Sequence, residues 1–267
     1  MLYGRGMKGR FVSLSLSRRL VVELGQLSLS QPRAVLHARI AIPAVAAGRM
    51  AARPRIPWPA LFAKAHALAA RNMPELRRFY VKLPWPHLHE VPRSTACLVV
   101  EREHAGEAAP FLARIKDPDA LSLPEIAARI AYLKTAPLEQ VKDYRAALAT
   151  ARLPLPLRRL GFWLAANLGR QVPNYFGSFA ISVLGSQGVA ITQSIAIAPS
   201  FLNYGPVDEA GGVDVWLTID HRVMDGAAGA RAIRALEAML NGPVLEELRA
   251  LAGEPEQVAA GGERLGA

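Results

Sequence analysis

The chain has 267 residues, just over half of them hydrophobic and a fifth charged, a balance that excludes a disordered or fibrous protein and allows one large core. A net charge of +10 and a pI near 10.2 favour anionic partners, whether an acidic surface, a phosphorylated cofactor or an acidic carrier protein. One cysteine, Cys97, excludes an internal disulfide, points to a reducing compartment and reads as a small hydrophobe in the apolar run ACLVV, and no Cys/His spacing suggests a metal site.

In chain order, residues 1–11 read as a basic tail whose apolar content is too short for a signal peptide. No later stretch reaches the roughly 18 apolar residues of a membrane span, so a cytoplasmic protein is expected. SRRLVVELGQL at 17–27 suits a helix with Ser17 as its cap. VLHARIAI at 35–42 alternates as a strand, and WPALFAKAHALAARN at 58–72 recurs with helical period behind Pro59. FYVKL and TACLVVE are strand candidates separated by a proline-rich loop, WPHLHEVPR, whose His87 and His89 are expected to be exposed loop residues. SLPEIAARIAYLK is a helix opened by the Ser122/Glu125 capping box.

The stretch 134–176 predicts two helices broken at Pro154 and Pro156, the second over about 157–170. Its Phe162, Trp163 and leucines interleave with Arg152, Arg158, Arg159 and Arg170. It can pack on the domain with those arginines solvated, meet a membrane surface, or line a long-acyl pocket. Strands follow over 178–185, about 194–205 and 213–220, with Tyr204 and Trp216 expected in the core. Helices follow over 226–241 and 244–251. Residues 253–267 form a polar, glycine-rich tail. The whole reads as one α/β domain over 12–252, with a mixed sheet.

The most informative stretch is VWLTIDHRVMDGAAGARAI. A strand ends in Asp-His-Arg, and Asp225-Gly226 follow four residues after His221, turning the chain into a small-residue helix. A histidine at such a turn is suited to take a proton near neutral pH. The plainer alternative is that Asp225 only caps the helix.

DHRVMDGA resembles the DHRxxDG signature of the dihydrolipoyl acyltransferase catalytic domain of 2-oxoacid dehydrogenase complexes, and the HHxxxDG signature of chloramphenicol acetyltransferase. FGSFAISVLGSQGV, VSLSLSRRLVVEL, WPALFAKAHALAARNMPEL and SLPEIAARIAYL are similar to other segments of that family, in the family's order, over about residues 12–245. The resemblance implies a chloramphenicol-acetyltransferase-like fold, a mixed sheet flanked by helices, assembled as a homotrimer with the active site at a subunit boundary. It implies that His221 is the general base and that Asp225 orients the site, with Arg18 a candidate partner for its charge. It implies that Ser182 donates a hydrogen bond to the oxyanion of the tetrahedral intermediate.

The departures are as informative. No lipoylation motif or Ala/Pro linker precedes the domain, so no covalent lipoyl group is expected on this chain. Val183 replaces the family's asparagine, and 134–176 is longer than its counterpart. The leading expectation is therefore a stand-alone acyltransferase taking its acyl group from CoA or an acyl-carrier protein, with no metal and no nucleic acid involved. Two alternatives are a dihydrolipoyl acyltransferase core served by a separate lipoyl protein and a non-catalytic trimeric scaffold.

Overall fold

A computed structural model describes residues 9–182, 191–192, 194–195 and 197–253. The elements run α1 (Leu16–Leu29), β1 (Arg33–Ala41), α2 (Pro43–Ala51), α3 (Trp58–Arg71), β2 (Arg78–Val81), β3 (His87–Glu90), β4 (Thr95–His104) and β5 (Glu107–Lys116). Then come α4 (Leu123–Thr135), α5 (Lys142–Arg152), α6 (Leu155–Asn167), α7 (Val172–Phe176), β6 (Phe179–Ser182), β7 (Ser200–Tyr204), β8 (Gly212–Asp220), α8 (Gly226–Met239) and α9 (Leu245–Gly253). The expected tail at 253–267, apart from Gly253, lies outside the described residues, as does Val183.

Six strands form one mixed sheet in the order β1-β8-β7-β6-β4-β5. β6 is parallel to both of its neighbours, β4 and β7, and the other pairings are antiparallel. The strand period of two divides the side chains between two faces. Ile40, Leu98, Phe111, Ile181, Leu202 and Leu217 point into the main core, against α3, α4 and α8. Cys97, Ala180, Ser182, Phe201 and Asn203 point the other way, where α1, α5, α6 and α7 cover the β4–β5 side of the sheet.

The capping box at Ser122 and Glu125 is present as expected. α1 begins earlier than expected: Ser15, with extended backbone, accepts from Arg18 N at 3.2 Å and is the cap, leaving Ser17 buried in the first turn. The WPHLHEVPR loop contains a strand. Its prolines fall outside the four residues of β3, so no ladder donor is lost, and His87–Glu90 pairs with β2. β5, α2 and α7 were not expected from sequence. β5 tolerates Pro110 because it is the outer strand of the sheet, and its hairpin with β4 turns through Ala105 and Gly106, both at positive φ. The second helix of the long segment spans Leu155–Asn167, β7 is shorter than its expected window, β8 begins one residue earlier than expected, and the end of the window 178–185 lies outside the described residues. Gly177 allows β6 to enter beside β4: a Cβ there would lie 2.8 Å from both the Cys97 Cβ and the Thr95 carbonyl oxygen.

Candidate active site

The turn after β8 is fixed from both sides. The Asp220 carboxylate is buried and accepts from Arg222 through the backbone N–H at 3.0 Å, Nε at 2.9 Å and Nη2 at 2.6 Å. The Asp220 carbonyl accepts from the N–H groups of Val223 and Met224, and the Arg222 guanidinium lies 4.7 Å over the Tyr80 ring. Burial lowers Arg33, beside this pair, to about 10, against the favourable field of Asp220. Between these anchors, His221 is tied by its own N–H to the Pro32 carbonyl at 2.9 Å, and the residue is exposed. The turn therefore presents an imidazole at a defined place on the surface.

Asp225 does not pair with it. Its carboxylate accepts from Ala228 N at 2.8 Å and caps α8, and among the described residues it makes no ion pair with His221 or Arg18. The capping contact that the plainer alternative describes is present. Arg18, the partner suggested for it, binds Glu107 at 3.1 Å instead.

Ser182 closes β6, nearly buried, and its hydroxyl has no partner among the described residues. It lies on the wall of a cavity of about 470 Å³ between the sheet and α1, α5, α6 and α7. Next to it in register stands Asn203, fully buried, whose Oδ1 accepts from the Ser194 hydroxyl at 3.2 Å and whose Nδ2 has no partner among the described residues. Asn203 was not expected from sequence, where the only local sign was that NYG follows a strand pattern. A long-acyl pocket is one of the three expectations for 134–176, and Ala147, Phe162 and Phe176 of that segment line the cavity.

Register shows how far apart the two candidate groups are. Ser182 aligns with Asn203, Asn203 with Trp216, and Asp220 lies four residues beyond Trp216 on β8. Four residues along a strand and two strand spacings across give about 16 Å between the backbones of Ser182 and Asp220, and His221 follows Asp220. A base and an oxyanion donor must both come within about 3 Å of the reacting atoms. Within one chain, Ser182 and His221 are not brought together.

Other expectations separate similarly. Arg158 is not solvated: it is buried on α6 and its Nε binds Glu23 at 3.0 Å, while Arg159 and Arg170 are exposed. α6 also carries exposed Leu157, Leu160 and Trp163 on one side and lines the cavity with Gly161, Phe162 and Ala165 on the other. His89 packs against Gly169, where a Cβ would clash with its ring, and burial lowers its pKa. Tyr204 is core, stacked on Phe62, whereas Trp216 is only half-buried and stacks on His37 at 4.9 Å. Cys97 is buried, and loss of hydration pushes its thiol up to about 12, as suits a packed hydrophobe. No described helix is long and apolar enough to cross a membrane.

No protein-family profile matches the chain, and no curated protein matches it. Solved structures do, and the fold is that of 2-oxoacid dehydrogenase acyltransferase cores, a mixed sheet flanked by helices as expected. A probable dihydrolipoamide acetyltransferase from Listeria monocytogenes superposes with a TM-score of 0.64 at 18% identity, over 87% of this chain and 94% of that one. The dihydrolipoamide acetyltransferase of Azotobacter vinelandii, investigated for the catalytic roles of a serine, a histidine and an asparagine, gives 0.64 at 19%, over 93% and 96%. A truncated catalytic core of the 2-oxoacid dehydrogenase complex from Thermoplasma acidophilum gives 0.61 at 18%, over 88% and 99%.

Proposed function

We propose that this chain is a stand-alone acyltransferase whose active site forms between neighbouring subunits of a homotrimer. It takes an acyl group from a CoA or acyl-carrier thioester and passes it to a hydroxyl, thiol or amine. The observation that carries the reading is the split itself. An exposed imidazole stands on a locked turn, and a serine hydroxyl without a partner among the described residues stands on a cavity wall; the Ser182 backbone is about 16 Å from that of Asp220, the residue before His221. Each is half of a site in a fold shared with acyltransferase cores. In the Azotobacter protein the studied asparagine is spaced from its histidine as Asp225 is from His221, which supports the assignment of this turn.

The chemistry follows from the two groups. His221 removes the proton of the acceptor as its oxygen, sulfur or nitrogen attacks the thioester carbonyl. The carbonyl π electrons move onto oxygen, and the Ser182 hydroxyl donates to that oxyanion. Collapse re-forms the carbonyl, breaks the carbon–sulfur bond and releases the thiolate, which takes the proton back from His221. Asp225 acts at one remove: by capping α8 it fixes the C-terminal side of the turn that carries His221. The basic balance of the chain suits a phosphate-bearing donor.

The test is complementation. His221→Ala is expected to lower turnover about 10²–10⁴-fold and Ser182→Ala about 10²–10³-fold, each with donor affinity nearly kept. When the two variants are unfolded together and refolded as a mixture, about one site in four regains an intact histidine and serine from different chains. Activity should return to about that fraction of wild type. Wild-type turnover by His221→Ala, or no recovery in mixtures shown to be hetero-trimeric, refutes the shared site. Acyl-CoA and acyl-dihydrolipoamide assayed side by side identify the donor.

A further inference from the structure

We infer that the cavity behind Ser182 is an acyl-chain pocket, so that the transferred group is a medium or long fatty acyl chain rather than an acetyl. The inference rests on the acyltransferase reading for the reaction, but the pocket itself rests on independent geometry.

At about 470 Å³ the cavity falls within the range of small-molecule sites, far larger than an acetyl group requires. Its wall is apolar, with Leu20 and Leu24 from α1, Val99 and Phe201 from the sheet, and Phe162 and Phe176 from α6 and α7. Several polar groups in that wall are already engaged. The Arg114 guanidinium binds the Asp143 carboxylate, which also accepts from Arg114 N at 2.9 Å. The Thr150 hydroxyl donates to the Ala146 carbonyl at 2.9 Å, and the Ser194 hydroxyl donates to Asn203. Ser182 lies in the same wall with its hydroxyl unpartnered among the described residues. A thioester whose carbonyl oxygen meets Ser182 has apolar space beside it for the rest of its acyl group.

The space comes from small side chains on two facing helices. α5 presents Ala146 and Ala147, and α6 presents Gly161 and Ala165. Larger residues at these positions would fill the volume with protein. Gly161 is the most telling of them: it stands inside a helix, where glycine is disfavoured, and a Cβ there would meet nothing within 4 Å. Neither close packing nor a positive φ explains it. Entry is open as well, since Leu153, Tyr175 and Ile195 line the cavity and are also exposed at the surface. An apolar space of this kind gives water few hydrogen-bonding partners, and an alkyl chain occupies it favourably.

Two measurements test this. Unreactive acyl-CoA thioethers of 2 to 16 carbons are titrated into wild-type protein by calorimetry, and the matching thioesters are assayed for transfer to a generic acceptor or to water. Affinity and kcat/KM should each rise about fourfold per methylene until the pocket is full, then level or fall. In Gly161→Leu and Ala147→Leu the optimum should move to shorter chains, with the two-carbon analogue bound as in wild type. Affinity independent of chain length in wild type, or an equal loss at every length in both variants, overturns the pocket. Chain-length-dependent thioether binding without transfer from any thioester upholds the pocket and refutes the acyltransferase reading. Acetyl-CoA turned over as efficiently as dodecanoyl-CoA does the reverse.

Discussion

The ion pair that holds α6 to α1 offers a sharp test of how the long segment is anchored. Glu23 and Arg158 have side chains only 3% and 8% exposed, and Glu23 Oε1 accepts from Arg158 Nε at 3.0 Å. Arg158 Nη1 also donates to the Leu153 carbonyl at 3.0 Å, which ties the start of α6 to the end of α5. Arg159 is a poor substitute partner, 3.8 Å from Glu23 and mostly exposed. Arg158→Met therefore leaves a buried carboxylate without a close countercharge, at a cost of about 3–5 kcal/mol. At about 2–4 °C per kcal/mol for a chain of this size, the midpoint of thermal unfolding should fall by about 6–20 °C. Glu23→Leu combined with Arg158→Met removes both charges, and replacing a buried pair by apolar groups is close to neutral. The double variant should recover most of the loss. The measurement is far-UV circular dichroism on heating and in urea, at one protein concentration because assembly adds to apparent stability. A single variant that loses under about 1 kcal/mol, or a double variant no better than the single, would show that the pair does not carry α6.

Two further outcomes follow from buried and capping groups. His66 is stacked on Phe179 at 4.0 Å and bonded to the Ser200 hydroxyl, and burial pushes it down to about 3. Its folded pKa lies below its unfolded value near 6.5, so its stabilisation is complete above pH 6.5 and lost as pH falls toward 3, at about 1.4 kcal/mol per unit. Urea midpoints at pH 7 and pH 5 should show wild type losing about 2 kcal/mol more than His66→Gln, and parallel losses would refute this. Asp225→Asn should keep nearly all stability because asparagine caps as well as aspartate, whereas Asp225→Ala should lose about 1 kcal/mol and loosen the His221 turn. If the asparagine variant unfolds as readily as the alanine variant, Asp225 has a charge partner beyond the α8 cap.

What the sequence made legible was local. α3 and α4 could be read because period, Pro59 and the Ser122/Glu125 box all act within a few residues. The turn at His221 could be read because Asp220, Arg222 and Asp225 each satisfy groups within four residues. β5 was illegible because Pro110 argues against a strand unless that strand is known to lie at the edge, which only the sheet order reveals. The buried state of Arg158 was illegible because its partner, Glu23, lies 135 residues away. The separation of Ser182 from His221 depends on β6, β7 and β8 standing side by side in one register, a property of no single motif.

That separation also explains why both groups can be left unengaged. A base and an oxyanion donor held together in one chain would bond to each other or to neighbours unless water or substrate stood between them. Here Ser182 faces an apolar wall and His221 faces outward from a rigid turn, so neither has a competing partner among the described residues. In the proposed trimer, assembly is the step that brings them to one carbonyl. The donor hydroxyl and imidazole then arrive with little hydrogen bonding to break, which is the preorganisation that makes such groups effective. The rigidity of each half matters for the same reason. Buried Asp220, paired with half-buried Arg222, holds the His221 turn, and β4 and β7 hold the strand that ends at Ser182. A subunit boundary can therefore place two preformed halves without either having to refold around the other.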